Sequence, residues 1–133
     1  LGDVYKRQRL GDGNSMIMKI DAIVREEKFE DVKNALMEIE VNGLTVSQVM
    51  GCGLQRGCKE IDRGMEVEPQ MQPKIKFEIV VSSEEWAEKT IETIKKAAYT
   101  GEFGDGKIFS YPVASVTKIR TGETGYDAVQ CQE

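Results

Sequence analysis

The spacing of apolar residues changes several times along the chain, and each change predicts an element. Met18 to Arg25 partly alternates and is rich in Ile and Val, which reads as a strand. Glu27 to Glu40 instead places Val32, Ala35, Leu36 and Ile39 on one helical face. Gly43 is the expected stop of that helix, and Leu44 to Met50 returns to strand character, with Val46 and Val49 among polar residues. Lys74 to Val81 is the clearest strand. Ser82-Ser-Glu-Glu85 then supplies a capping-box pattern, opening a helix expected to carry Trp86, Thr90, Ile91, Ile94 and Ala98 inward until Gly101 stops it. Lys107 to Ile119 contains the last strand, interrupted or edged near Pro112, because proline cannot donate to a ladder.

This order, βαββαβ, predicts an α+β domain of the ferredoxin-like double repeat, with Trp86 and the aliphatic stripes in its core. Between the second and third strands, about Leu54 to Gln72 has no sustained period and carries Gly57, Gly64 and Pro69, with Pro73 just beyond. A loop of that length inside a compact domain is more often functional than not. Leu1 to Ser15 shows neither apolar periodicity nor capping logic. The expectation is a non-native or disordered leader ahead of one domain over residues 16–133, the native protein starting at Met16 or Met18.

A chain of 133 residues is about one domain in size. Its net charge of -5 and pI near 5.0 argue against nucleic-acid binding, which usually leaves a basic footprint. Cys52, Cys58 and Cys131 are odd in number and there is no histidine, so neither a disulfide framework nor a zinc site can be assembled from the spacing. Thiols of that kind suit a reducing cytoplasm. No run approaches the roughly 18 apolar residues of a membrane span, so a cytoplasmic protein without membrane insertion is expected.

The chemistry concentrates late in the chain. In Thr100-Gly-Glu-Phe-Gly-Asp-Gly-Lys-Ile-Phe109, three glycines permit positive φ and close backbone approach, and Lys107 sets a mobile cation beside them. Lys118 and Arg120 follow, before Thr121-Gly122, and strand alternation would put both on one face. Three local cations beside a glycine loop favour polyanion binding over a plain turn. An RNA-recognition module would want stacking aromatics where Val46, Val49 and Met50 stand. Gly51-Cys-Gly-Leu-Gln-Arg-Gly57 has the look of an acylphosphatase phosphate loop, but it follows the second strand and opens the long loop. With no histidine and no clear general base, no enzyme is expected.

Thr100-x-x-x-Gly104-Asp105-Gly106-Lys107-Ile108-Phe109, Pro112-Val113 and Ile119-Arg120-Thr121-Gly122-Glu123 resemble the C-terminal signature of the PII-type nitrogen regulatory proteins. Lys19-Ile-Asp-Ala-Ile-Val-Arg25, Gly43 to Gly53 and Pro73 to Val81 look like the family's first three strands, so the likeness runs in order from about Lys19 to Glu123. The resemblance implies a homotrimer that binds ATP or ADP between subunits and, with Mg²⁺ and ATP, the effector 2-oxoglutarate. It implies nucleotide-binding roles for Ile23, Thr45, Gly51, Gly53, Gly104, Asp105, Gly106, Lys107, Lys118 and Arg120. Lys118 stands where arginine is more usual, which keeps the charge but loses the bidentate fork. Gln55 matches the residue that helps hold Mg²⁺ and the oxo-acid, and Lys74 the cation near the oxo-acid carboxylate. Leu54 departs from an arginine that contacts the terminal phosphates, unless Arg56 or Lys59 reaches in.

The same resemblance makes the long loop a signalling arm. Asp62-Arg63-Gly64-Met65-Glu66-Val67 lacks both tyrosines of the related pattern, so Val67 cannot be uridylylated, and Met65 rules out serine phosphorylation there. Arg63 matches a loop-tip arginine that docks on partners. The implied protein is a nitrogen regulator working without covalent modification, its partner an ammonium transporter, glutamine synthetase, a nitrogenase-related protein or a transcriptional regulator. The alternative is a PII-like trimeric module that binds a different nucleotide or small anion, or acts as an adaptor.

Overall fold

The computed structural model describes residues 16–41, 43–53 and 70–130. Its elements are β1 (Met18–Arg25), a 3-10 turn (Glu26–Lys28) leading into α1 (Phe29–Glu38), β2 (Leu44–Gly53), β3 (Gln70–Val81), α2 (Glu84–Ala98), β4 (Lys107–Pro112) and α3 (Tyr126–Gln130). The strands form one antiparallel sheet in the order β2-β3-β1-β4, the ferredoxin-like α+β arrangement expected. Register runs from Met18 opposite Val81 to Arg25 opposite Lys74, and from Met18 opposite Pro112 to Ile23 opposite Lys107.

Strand alternation sorts the two faces. Ile20, Ala22 and Val24 of β1 and Ile75, Phe77, Ile79 and Val81 of β3 are buried with Val32 and Leu36 of α1 and Ala87, Thr90, Ile94 and Ala98 of α2. Full burial of each large aliphatic or aromatic side chain stabilises by about 1.5–3 kcal/mol, so a one-residue slip of β1 or β3 is strongly disfavoured. Phe29 stacks on Phe77 with ring centroids 5.8 Å apart. Thr90, fully buried, donates its hydroxyl to the Trp86 carbonyl at 2.7 Å.

Several boundaries differ from the sequence expectation. Helix α1 ends before Gly43: Val41 N–H donates to Leu36 O and Glu40 N–H to Met37 O, both at 2.9 Å, closing a Schellman motif around Glu40 at φ +67°. Ser83 caps α2, its Oγ accepting from Trp86 N–H at 3.1 Å, so the capping pattern is used one residue later than Ser82 would require. The buried stripe of α2 then starts at Ala87. Trp86 is 38% exposed rather than core, and Lys89 Nζ lies 5.3 Å from its ring centroid.

Strands β2 and β3 are longer than expected, so the connection shortens to residues 54–69, which lie outside the described residues. Pro73 is tolerated inside β3 because β1 ends at Arg25, opposite Lys74, and Pro73 has no β1 neighbour. The last strand stops at Pro112. Beyond it, Thr117 bridges Thr124 around a turn in which Lys118 N–H donates to Glu123 O and Gly122 N–H to Lys118 O, both at 2.8 Å. Lys118 and Arg120 therefore sit in a turn and not on one face of a strand. Among the described residues, no helix is long and apolar enough to cross a membrane.

Candidate functional site

The loop between α2 and β4 is organised by one carboxylate. Asp105 Oδ2 accepts from the N–H groups of Thr100 at 2.9 Å and Gly101 at 2.8 Å. Its Oδ1 accepts from the Thr100 hydroxyl and from Arg25 Nε at 2.9 Å. The Thr100 hydroxyl foremost, then the Thr100 amide, Arg25 and the Gly101 amide, hold the Asp105 carboxyl well below the usual carboxylate range. Thr100 Oγ1 also accepts from Glu102 N–H at 3.1 Å. Asp105 thus braces the loop from within. Both of its oxygens are committed to the chain, a structural role that the motif alone did not reveal.

Two strand cations tie down the outer edge of this loop. Arg25 Nη2 donates to Phe103 O at 2.7 Å and Lys74 Nζ to Gly104 O at 2.5 Å. Lys74 reaches there past Gly51, where a Cβ would stand 3.2 Å from Lys74 Cγ. Gly106 carries φ +105°, and a Cβ on it would lie 1.8 Å from Ile23 O, so only glycine fits between the loop and β1. Gly104, at φ +103°, would place a Cβ 3.3 Å from Arg25 Nη2. Lys107, opposite Ile23 in the register, remains exposed. Behind the loop, Ile23, Val24, Ile94, Ala98, Tyr99 and Lys107 help line a cavity of about 110 Å³.

The structure therefore gathers Ile23, Gly51, Lys74, Gly104, Asp105, Gly106 and Lys107 at one end of the sheet. Thr45 lies elsewhere: it is opposite Glu78, six residues along β2 from Gly51, or roughly 20 Å at strand rise. Gly53 ends β2 opposite Gln70. Lys118 is buried, its Nζ 3.6 Å from Glu123 Oε1, while Arg120 is exposed on the same turn. Leu54, Gln55 and Arg63 lie outside the described residues.

Arg25 was missed by sequence reasoning. Its signal is tertiary, since only the register shows that the last residue of β1 faces Lys74 beside the loop. A second polar group was missed on the sheet face away from the helices. There Tyr111 Oη donates to Asp21 Oδ2 at 2.6 Å, and Lys19 Nζ donates to Glu78 Oε1 at 2.9 Å and stands 3.7 Å from Asp21 Oδ1. The Glu78 hydrogen bond raises the Lys19 pKa, and the hydrogen bond to Asp21 raises that of Tyr111. Asp21 Oδ1 is buried without a hydrogen-bond partner.

A rigid glycine loop with an exposed lysine at its exit is suited to holding an anion in place. Among the described residues, no group of three or more His, Cys, Asp or Glu side chains could hold a metal ion. Fold and site together define a ferredoxin-like α+β domain with a braced glycine loop at one end of its sheet. The family described as "Nitrogen regulatory protein P-II" matches residues 17–123, and the chain belongs to that family. "Nitrogen regulatory protein P-II 1" of Methanothermobacter thermautotrophicus is 51% identical over 111 residues, which is 84% of this chain and 96% of the relative. The solved structure of B. subtilis GlnK is 41% identical with a TM-score of 0.72, covering 86% of this chain and 99% of that one. A B. subtilis GlnK-ATP complex gives a TM-score of 0.71 at 37% identity, with the same coverage of 86% and 99%. Relatives of this kind are named as regulatory proteins, and the chain is a regulator rather than an enzyme.

Proposed function

We propose that this regulator binds ATP or ADP at the 100–107 loop, that 2-oxoglutarate joins Mg²⁺ and ATP there, and that the ligands set the state of the segment between β2 and β3. The observation that carries the reading is the braced glycine loop: Asp105, Arg25 and Lys74 fix its backbone and leave Lys107 exposed beside Gly106. The similarity to a B. subtilis GlnK-ATP complex supports the choice of nucleotide. Lys107, Gly104 and Gly106 would hold phosphate oxygens, and Ile23 and Gly51 the cleft wall. Bound Mg²⁺ would neutralise phosphate charge, with Gln55 as its protein ligand.

The homotrimer belongs to the same proposal. Support comes from the sheet face away from the helices, where Asp21 Oδ1 lacks the donor that a buried carboxylate oxygen needs. A neighbouring copy would supply it, and would also bring Thr45, Lys118 and Arg120 to a loop other than their own. Control would pass through Arg63 to an ammonium transporter or a nitrogen-metabolism enzyme or regulator, in a cytoplasmic setting.

Calorimetric titration with ATP-Mg²⁺ and with ADP, each with and without 2-oxoglutarate, tests this. Tightening of ATP binding, and not of ADP binding, by 2-oxoglutarate is expected. One observation favours a second reading, a module for another nucleotide or small anion: Lys74 is engaged by Gly104 O rather than held open for a carboxylate. Nucleotide binding indifferent to 2-oxoglutarate would select it, and an absence of heat with either nucleotide would reject the nucleotide site altogether.

A further inference from the structure

Near Gly53 and Gln70 the β2–β3 ribbon outruns β1, which ends at Arg25 opposite Lys74. Three sulfur-bearing residues occupy this overhang: Met50 and Met71, each 57% exposed, and Cys52, an exposed free thiol. Met50 and Cys52 are two apart on β2 and so share a face. Cys52 is directly opposite Met71, and Met50 is opposite Pro73, which sets Met50 diagonal to Met71 on that face. Directly opposed Cβ atoms are about 4.5–5.5 Å apart and diagonal neighbours about 7–8 Å, within reach of long side chains. Methionine, unbranched with three rotatable bonds, can close such a gap.

We propose that Met50, Cys52 and Met71 form a three-sulfur site for a soft monovalent cation, Cu(I). One thiolate and two thioethers make a donor set that selects Cu(I), whereas Mg²⁺ and Ca²⁺ prefer oxygen. The Cys52 thiol gives up its proton to solvent as the cation binds, so the thiolate and Cu(I) charges cancel. Core packing does not account for the methionines, which stay exposed while Ile75 and Phe77, further along the same face of β3, are buried. The site is also separate from the proposed anion site. Gly51 and Lys74 alternate to the opposite face of the ribbon from Met50, Cys52 and Met71.

The test is anaerobic titration of the full chain with Cu(I) against a chromophoric Cu(I) chelator, with Cys58→Ser and Cys131→Ser in place so that only Cys52 offers a thiol. One Cu(I) per chain is expected. Met50→Leu with Met71→Leu keeps the thiol and the side-chain volume, and should weaken Cu(I) binding at least roughly tenfold by removing two soft ligands. Cys52→Ser should abolish stoichiometric binding, with unchanged circular dichroism showing that each variant folds. Equal affinity of the double leucine variant and its parent would overturn the proposal, as would displacement of Cu(I) by equimolar Zn²⁺ or retention of binding by Cys52→Ser.

Discussion

Two turns of this chain are built from similar material and end in opposite states. The 100–107 loop and the 117–124 turn each combine glycine, threonine, an acid and a cation. In the first, Asp105 is consumed by N–H groups, a hydroxyl and Arg25, so Lys107 is left exposed. In the second, Glu123 Oε1 stands 3.6 Å from Lys118 Nζ, and Lys118 is buried. Where the acid goes decides whether the neighbouring cation stays accessible. The first turn is preorganised within one chain, whereas recruiting Lys118 to a ligand means exchanging a contact that the chain already makes.

The largest effect should come from Gly106→Ala. A Cβ 1.8 Å from Ile23 O requires backbone movement at the β1–β4 junction, and φ +105° is unfavourable for alanine besides. A loss of about 3 kcal/mol or more, or failure to fold, is expected in urea denaturation. A variant with the parental midpoint would mean that the loop is not seated on β1 as described.

Asp105→Ala comes next, with a loss of about 2 kcal/mol for a carboxylate that satisfies several donors. The folded pKa is depressed, so this contribution is fully present above the unfolded value near 4 and is lost as pH falls below it. Denaturation curves of parent and variant should stay a constant distance apart from pH 7 to about pH 5, then converge on further acidification. A gap that widened in acid would break the claim that the ionised carboxylate is the brace.

Lys107→Ala and Lys118→Ala should separate binding from folding. The exposed Lys107 makes no demand on stability, so its loss should leave the urea midpoint unchanged while weakening nucleotide binding about ten- to a hundredfold, as expected for one charge-assisted contact. Lys118→Ala should instead lower stability by about 1 kcal/mol through lost packing of the buried alkyl stem. Calorimetry and denaturation on the same two proteins would show either this crossing or its absence.

That crossing also marks what was legible beforehand. The strands and helices were readable because each follows a period of its own, and the aliphatic residues that alternate along β1 and β3 are buried. The glycine loop was readable because φ preference is a local property. The role of Asp105 was not, because a GDGK string looks the same whether its acid faces a ligand or its own backbone. Arg25 was hidden for another reason: its partners lie 78 and 80 residues away in sequence. Extending the strand past Pro112 gave Lys118 and Arg120 one face, and the observed turn gives them different burial instead. Trp86 was misplaced because hydrophobicity outweighed a small rotation of the helix stripe.

The smallest expected effect sharpens the comparison from the glycine side. Gly122 has φ +79°, in the same left-handed region as Gly106, but a Cβ built on it meets nothing within 4 Å. Gly122→Ala should therefore cost only the conformational part, about 1 kcal/mol, with no steric addition. Measured beside Gly106→Ala, the difference reports what close approach to Ile23 O adds, together with the less favourable φ of +105° at Gly106. If the two alanine variants lost equal stability, φ alone would explain both glycines, and the 100–107 loop would have no tighter seat than the turn that follows it.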